Sequence, residues 1–93
     1  MEQTFGIASF RSRQQVMNFE RALRQAGVPA SIITTPRSVS VGCGLSVSFR
    51  LNDARDVGDV YRVARPENLI GFYRVEREAS GGTHVSPLGM ERG

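Results

Sequence analysis

LSVSFRL, residues 45 to 51, alternates without a break: Leu45, Val47, Phe49 and Leu51 on one side, Ser46, Ser48 and Arg50 on the other. Successive side chains of a strand point to opposite faces, so this is a strand with one buried face and one polar face. Upstream, VPASIITT (28–35) is a second apolar, β-branched run. Pro29 is tolerated at its start, and Pro36 closes it. Downstream, Asn52 or Asp53 caps a helix whose stripe is Val57, Val60, Tyr61 and Ala64, weakened by Gly58 and stopped before Pro66.

The outer elements complete the pattern. TFGIASF (4–10) reads as the first strand. Ser12 and Gln15 have the spacing of a capping box, and Val16, Phe19, Leu23 and Ala26 then recur at helical steps with Gln14, Asn18, Arg21 and Gln25 opposite. Gly27 is placed to end that helix in a left-handed conformation. LIGFYRV (69–75) is the last strand expected. The order β-α-β-β-α-β predicts an α+β, ferredoxin-like two-layer sandwich: a four-stranded antiparallel sheet with two helices on one face. One domain is expected over residues 1–75. EREASGGTHVSPLGMERG (76–93), rich in Gly, Ser and Pro, is expected to be a loose tail that adds nothing to the core.

Ninety-three residues are enough for one small core. A single cysteine, Cys43, excludes an intramolecular disulfide and the paired spacings of a thiolate zinc site, so neither metal nor cofactor is expected and a reducing cytoplasm is the natural compartment. There is no basic-then-apolar leader and no long apolar run, so no membrane association is expected. All 12 basic residues are arginine against 9 acidic ones, a net charge of +3, but the arginines are scattered among carboxylates rather than gathered in a stripe.

Cys43 lies in TPRSVSVGCGL (35–45), between Gly42 and Gly44. In the expected strand order, four-one-three-two, the start of strand three lies beside the end of strand one. That places Cys43 near Phe10, Arg11, Ser12 and Arg13, at the N-terminus of the first helix. Free N–H groups and the helix dipole favour an anion there, and arginine adds to the effect, so a thiolate would be stabilised. The two glycines would leave the sulfur open to a partner. Against this, free cysteine is among the most often buried residues, and glycines are common in hairpin connections. Both readings stand on spacing alone.

Arg37, in the same loop, is a candidate to stabilise a charged sulfur or to dock an acidic partner. Glu20, at the edge of the first helix's apolar stripe, could orient Arg37 or Arg13, or have a local partner only. Ser12 has its cap role and no evident base. Asp53, Asp56 and Asp59 recur every three residues, a spacing that could suggest a metal, but the acid preference of a helix N-terminus explains the first two more simply, and His84 falls in the tail, away from any site.

The pattern F-x-S…E-x-x-L-x-x-A-G-V…T-P-R-x-V-S-x-x-C-G-L resembles the small bacterial domains described as selenium/sulfur carrier-like proteins. It is carried here by Phe10, Ser12, Glu20, Leu23, Ala26, Gly27 and Val28, then by Thr35, Pro36, Arg37, Val39, Ser40, Cys43, Gly44 and Leu45. Weaker likeness extends to Ile70–Tyr73. The resemblance implies a carrier, rather than a stand-alone enzyme, that holds a persulfide or perselenide on Cys43 and passes it between donor and acceptor proteins.

Two other readings compete. One is a non-catalytic module for a small ligand or a protein, with Cys43 structural, since fold alone does not choose a function. The other is nucleic-acid binding, motivated by the arginines. It is poorly supported because Phe72 and Tyr73 point to opposite faces of their strand and make no stacking platform. Sheets of this size also pair through an edge or a face, which leaves a homo-oligomer open.

Overall fold

The structure, a computed structural model, describes residues 3–39 and 42–90, so Ser40 of the motif and Arg92 lie outside the described residues. The elements are β1 (Gln3–Phe10), α1 (Arg13–Gln25), β2 (Ala30–Thr34), β3 (Leu45–Phe49), a short 3-10 turn (Leu51–Asp53), α2 (Ala54–Ala64), β4 (Leu69–Arg77) and β5 (Thr83–Pro87). All strand pairs are antiparallel, and the sheet order is β2-β3-β1-β4-β5. As expected, β3 lies beside β1, with Ser9 opposite Ser46 and Gly6 opposite Phe49.

The strand count is a correction: there are five, where four were expected. β4 continues to Arg77, and the segment read as a loose tail turns back to pair as β5, Val85 opposite Val75. The tail also contributes to the core, since Leu88 and Met90 pack against it. The Leu88 N–H donates to Phe72 O at 2.9 Å, which carries the pairing one step past β5.

The helices pack on one face of the sheet. Alternation puts Ala8 and Phe10 of β1, Val47 and Phe49 of β3 and Phe72 of β4 on that face. They meet Val16, Phe19 and Leu23 of α1 and Val57 of α2. A chain of ring contacts ties the layers: Phe10 to Phe19 at 5.5 Å, Phe19 to Tyr61 at 6.1 Å, Tyr61 to Phe72 at 5.4 Å and Phe72 to Phe49 at 6.4 Å. Tilted and edge-on arrangements of this kind add to the burial of the rings.

Helix ends follow the sequence at one terminus and not at the other. Gly27 adopts φ +82°, its N–H donates to Arg24 O at 3.0 Å and that of Val28 donates to Leu23 O at 2.8 Å. This is a Schellman closure, with buried Leu23 and Val28 as its apolar pair. At the other end Ser12 is the N-cap residue, but its side chain makes no capping bond, so the expected capping box is absent. Asp53 likewise caps α2 without a side-chain bond and instead accepts from Arg50 at 2.9 Å. Ala26 and Ala64, expected on the buried stripes, are exposed.

The second face of the sheet differs most from the expectation of a polar surface. Ile7, Ser9, Ser46 and Val75 all point there and are all shut from solvent, although no helix covers them. The first part of the connection between β2 and β3, residues 36–39, runs back on this side of the sheet. It begins with a turn in which the Val39 N–H donates to Pro36 O at 3.0 Å, and Val39 is itself buried. Pro36, Arg37 and Ser38 then line a cleft with Arg77 and Thr83, at the far corner of the β4–β5 pair. Residues 36–39 therefore form a strap that reaches across this face toward the β4–β5 pair.

Gly6 tests how tightly the helix-side core is closed. The ring of Phe49 lies over it, and a Cβ at Gly6 would stand 2.4 Å from a ring carbon. Gly6→Ala is expected to cost about 1–3 kcal/mol by overpacking, and Leu88→Ala about 1 kcal/mol by removing a half-buried side chain. Urea denaturation measures both; an unchanged midpoint for Leu88→Ala would remove the tail from the core.

Candidate functional site

The loop that holds Cys43 is pinned at both ends. The Thr35 N–H donates to Gly44 O at 2.9 Å, which extends the β2–β3 pairing by one step and sets the neck of the loop. The Cys43 N–H donates to Phe10 O at 3.4 Å, which holds the cysteine against the last residue of β1. This is the neighbourhood expected from strand order. The side chain of Cys43 is half-buried, packs against the helix-side core and points its thiol at Leu45 O, 3.7 Å away.

The flanking glycines serve different ends. Gly42 has φ +115°, and a Cβ there would lie 2.8 Å from Phe10 O and 2.6 Å from a methyl of Ile70. Only a residue without a side chain lets the backbone come this close to β1. Gly44 has φ +87° with open space around it, so its requirement is conformational alone.

Beneath the neck runs a row of hydroxyls that the sequence reading missed. Thr35 Oγ1 and Ser46 Oγ are 2.7 Å apart, and Ser46 Oγ and Ser9 Oγ are also 2.7 Å apart. Ser9 and Ser46 are fully buried, so the bonds between them replace those that water would otherwise make. Ser46 had been placed on a polar face. The one available signal was Ser9, a hydroxyl inside the apolar run of β1.

The other candidates are less closely gathered. Arg11 and Arg13 flank the start of α1, and both are exposed. Among the described residues no hydrogen bond or ion pair joins either side chain to Cys43. The Arg11 N–H donates to Asn68 O at 2.8 Å, which fixes the backbone leading into the helix. Glu20 accepts from Arg24 on its own helix at 2.9 Å, the local pairing rather than one with Arg37 or Arg13. Arg37 lies in the cleft at the other end of the strap.

His84 is in β5 and meets Glu78 at 2.9 Å; its strand position, opposite Glu76, is at the end of the sheet away from Phe10. Asp53 and Asp59 pair with Arg50 and Arg62 respectively. Among the described residues no group of His, Cys, Asp or Glu could hold a metal ion, and no helix is long and apolar enough to cross a membrane. Phe72 is in the core and Tyr73 on the opposite face, so the pair offers no common platform for bases.

With the loop and its cysteine described, one comparison decides the family. The profile described as "Putative Se/S carrier protein-like" matches residues 5–65, from β1 to the end of α2, and includes the whole cysteine loop. The chain belongs to this family. It matches no curated protein and no solved structure. In this family member the matched region ends before β4, so β4, β5 and the core residues Leu88 and Met90 lie beyond it.

The two glycines predict different responses to the same change. Gly42→Ala meets both a left-handed φ and a backbone oxygen, and is expected to cost about 2 kcal/mol or more. Gly44→Ala meets only the φ and should cost about 1 kcal/mol. Alkylation of native Cys43 should also be faster in Gly42→Ala, where the hold on Phe10 is lost. Equal stability losses and equal alkylation rates in the two variants would remove this distinction.

Proposed function

We propose that the protein is a sulfur or selenium carrier that holds the chalcogen on Cys43 and hands it to a second protein. The observation that carries this reading is the family match across a loop whose single thiol is held at a fixed place, between two glycines, at the surface end of β1. We also infer a ferredoxin-like unit extended by β5, since the first four strands lie in the order β2-β3-β1-β4 with a helix following β1 and another following β3.

The transfer needs little from the protein. The Cys43 thiolate attacks the outer sulfur of a donor persulfide. A bond forms between Cys43 Sγ and that sulfur, the donor S–S bond breaks and the donor leaves as a thiolate. In the second half a nucleophile on the acceptor attacks the same outer atom and Cys43 leaves as a thiolate. One sulfane sulfur moves and no external oxidant or reductant is consumed. With no second cysteine in the chain, the bound persulfide is not resolved internally as a disulfide. Gly42 and Gly44 leave both sides of the sulfur without side chains, and the exposed Arg11 and Arg13 at the head of α1 supply positive potential on the approach. Arg37, in the cleft of Arg77, and Glu20, paired with Arg24, are not needed for these steps.

A second reading has its own support. The thiol points at Leu45 O and the side chain rests on the core, which is what a structural cysteine in a binding module would do.

The carrier reading is tested by incubating the purified protein with a small-molecule persulfide, or with selenide and an oxidant, and weighing it intact. A single added chalcogen atom that is absent from Cys43→Ala is expected. An unmodified mass, or an adduct that persists in the variant, would assign Cys43 to packing.

A further inference from the structure

The strap brings two arginines together with no acid between them. Arg37 from the β2–β3 connection and Arg77 from the end of β4 line one cleft of about 390 Å³, with Ser38 and Thr83 beside them and Pro36 as its apolar wall. Neither guanidinium has a carboxylate partner among the described residues. Arg77 instead lies over the ring of Phe5, 5.2 Å from its centroid. Glu76 and Glu78 line an adjoining cleft with Arg77, but their hydrogen bonds go elsewhere: Glu76 to Arg74 at 3.1 Å, and Glu78 to His84 at 2.9 Å and Ser80 at 3.3 Å. Two guanidiniums on one cleft give it a positive potential that favours an anion.

We propose that this cleft binds a phosphate-class dianion, held by the guanidiniums of Arg37 and Arg77 and by the hydroxyls of Ser38 and Thr83. Arginine presents a planar fork of donors that matches oxyanions in a bidentate way. Two forks and two hydroxyls offer more donors than a lone carboxylate can accept, whereas a tetrahedral dianion has the oxygens for them and neutralises both charges. The stack of Arg77 on Phe5 fixes one fork in advance, which lowers the cost of ordering it.

This site is separate from the cysteine. Arg77 stands opposite Gln3 at the start of β1, while Cys43 is bonded to Phe10 at its end. The two are therefore about 20 Å apart along the strand. The strap joins them, since the same connection carries Arg37 at one place and Cys43 at another.

The test is a titration of the full chain at constant ionic strength with inorganic phosphate, glycerol phosphate, acetate and chloride, followed by amide NMR. Saturable shifts at Arg37, Ser38, Arg77 and Thr83 are expected with phosphate, weakened by roughly tenfold or more in Arg37→Gln and in Arg77→Gln. Binding of glycerol phosphate as well would identify a monoester site, and binding of phosphate alone a site for the free ion. Equal responses to acetate or chloride, no saturation, or affinity unchanged in both variants would overturn the proposal. Both arginines are exposed, so the amide spectrum of each free variant also reports that the fold is kept. The readout does not involve sulfur chemistry, so its outcome is independent of chalcogen loading on Cys43.

Discussion

Strand β1 is closed on every side, and the remainder of the fold is arranged to close it. Its two edges are taken by β3 and β4. Its residues from Gly6 to Phe10 are buried irrespective of the face to which they point. On one face the closure is conventional, with α1 and α2 supplying Val16, Phe19, Leu23 and Val57. On the other there is no helix to do it. Full burial of one aliphatic side chain is worth about 1.5–3 kcal/mol, and on this face Ile7 and Val75 are fully buried, with Val39 of the strap buried as well.

The cysteine inherits its position from that arrangement. Because the chain enters β3 beside the end of β1, Gly42 passes close to the Phe10 carbonyl, and Cys43 is the next residue. The thiol is therefore placed by backbone contacts instead of by side-chain partners. The two residues beside it are glycines, so no neighbouring side chain in the loop is used to hold it. The half-buried Cys43 side chain rests on the helix-side core and turns the thiol to Leu45 O.

Strong periodicity made most of the fold legible in the sequence. The alternation of Leu45 to Phe49 and the helical stripe of Val16, Phe19 and Leu23 each have one physical explanation, and both elements formed within a residue or two of expectation. The nearness of Cys43 to Phe10 was legible for the same reason, since strand order follows from element order, whereas the family was legible from the motif that ends in Cys43, Gly44 and Leu45. β5 was not legible. THVSP has one apolar residue, and its pairing depends on β4 offering a free edge beyond Val75, which is a tertiary fact. Leu88 and Met90 look like stray apolar residues until that pairing brings them back to the core. The strap was hidden for a similar reason: Val39 stands between two serines in a loop with no strong periodicity, and its burial is a tertiary fact. The cleft of Arg37 and Arg77 joins residues far apart in sequence, and no local pattern could have paired them.

The buried hydroxyls carry a consequence for how β2 finds its partner. In ASIIT the two isoleucines are adjacent, so Ile32 faces the helices and Ile33 the strap, and neither is fully buried. A shift by one residue would merely exchange them, leaving hydrophobicity almost indifferent to alignment. The contact of Thr35 with Ser46, itself anchored on Ser9, is not indifferent. Displacing β2 by one position would turn Thr35 to the wrong side and leave a buried serine short of a partner. Three small polar side chains thus act as the vernier of the sheet, selecting one alignment where oil and water alone would accept two.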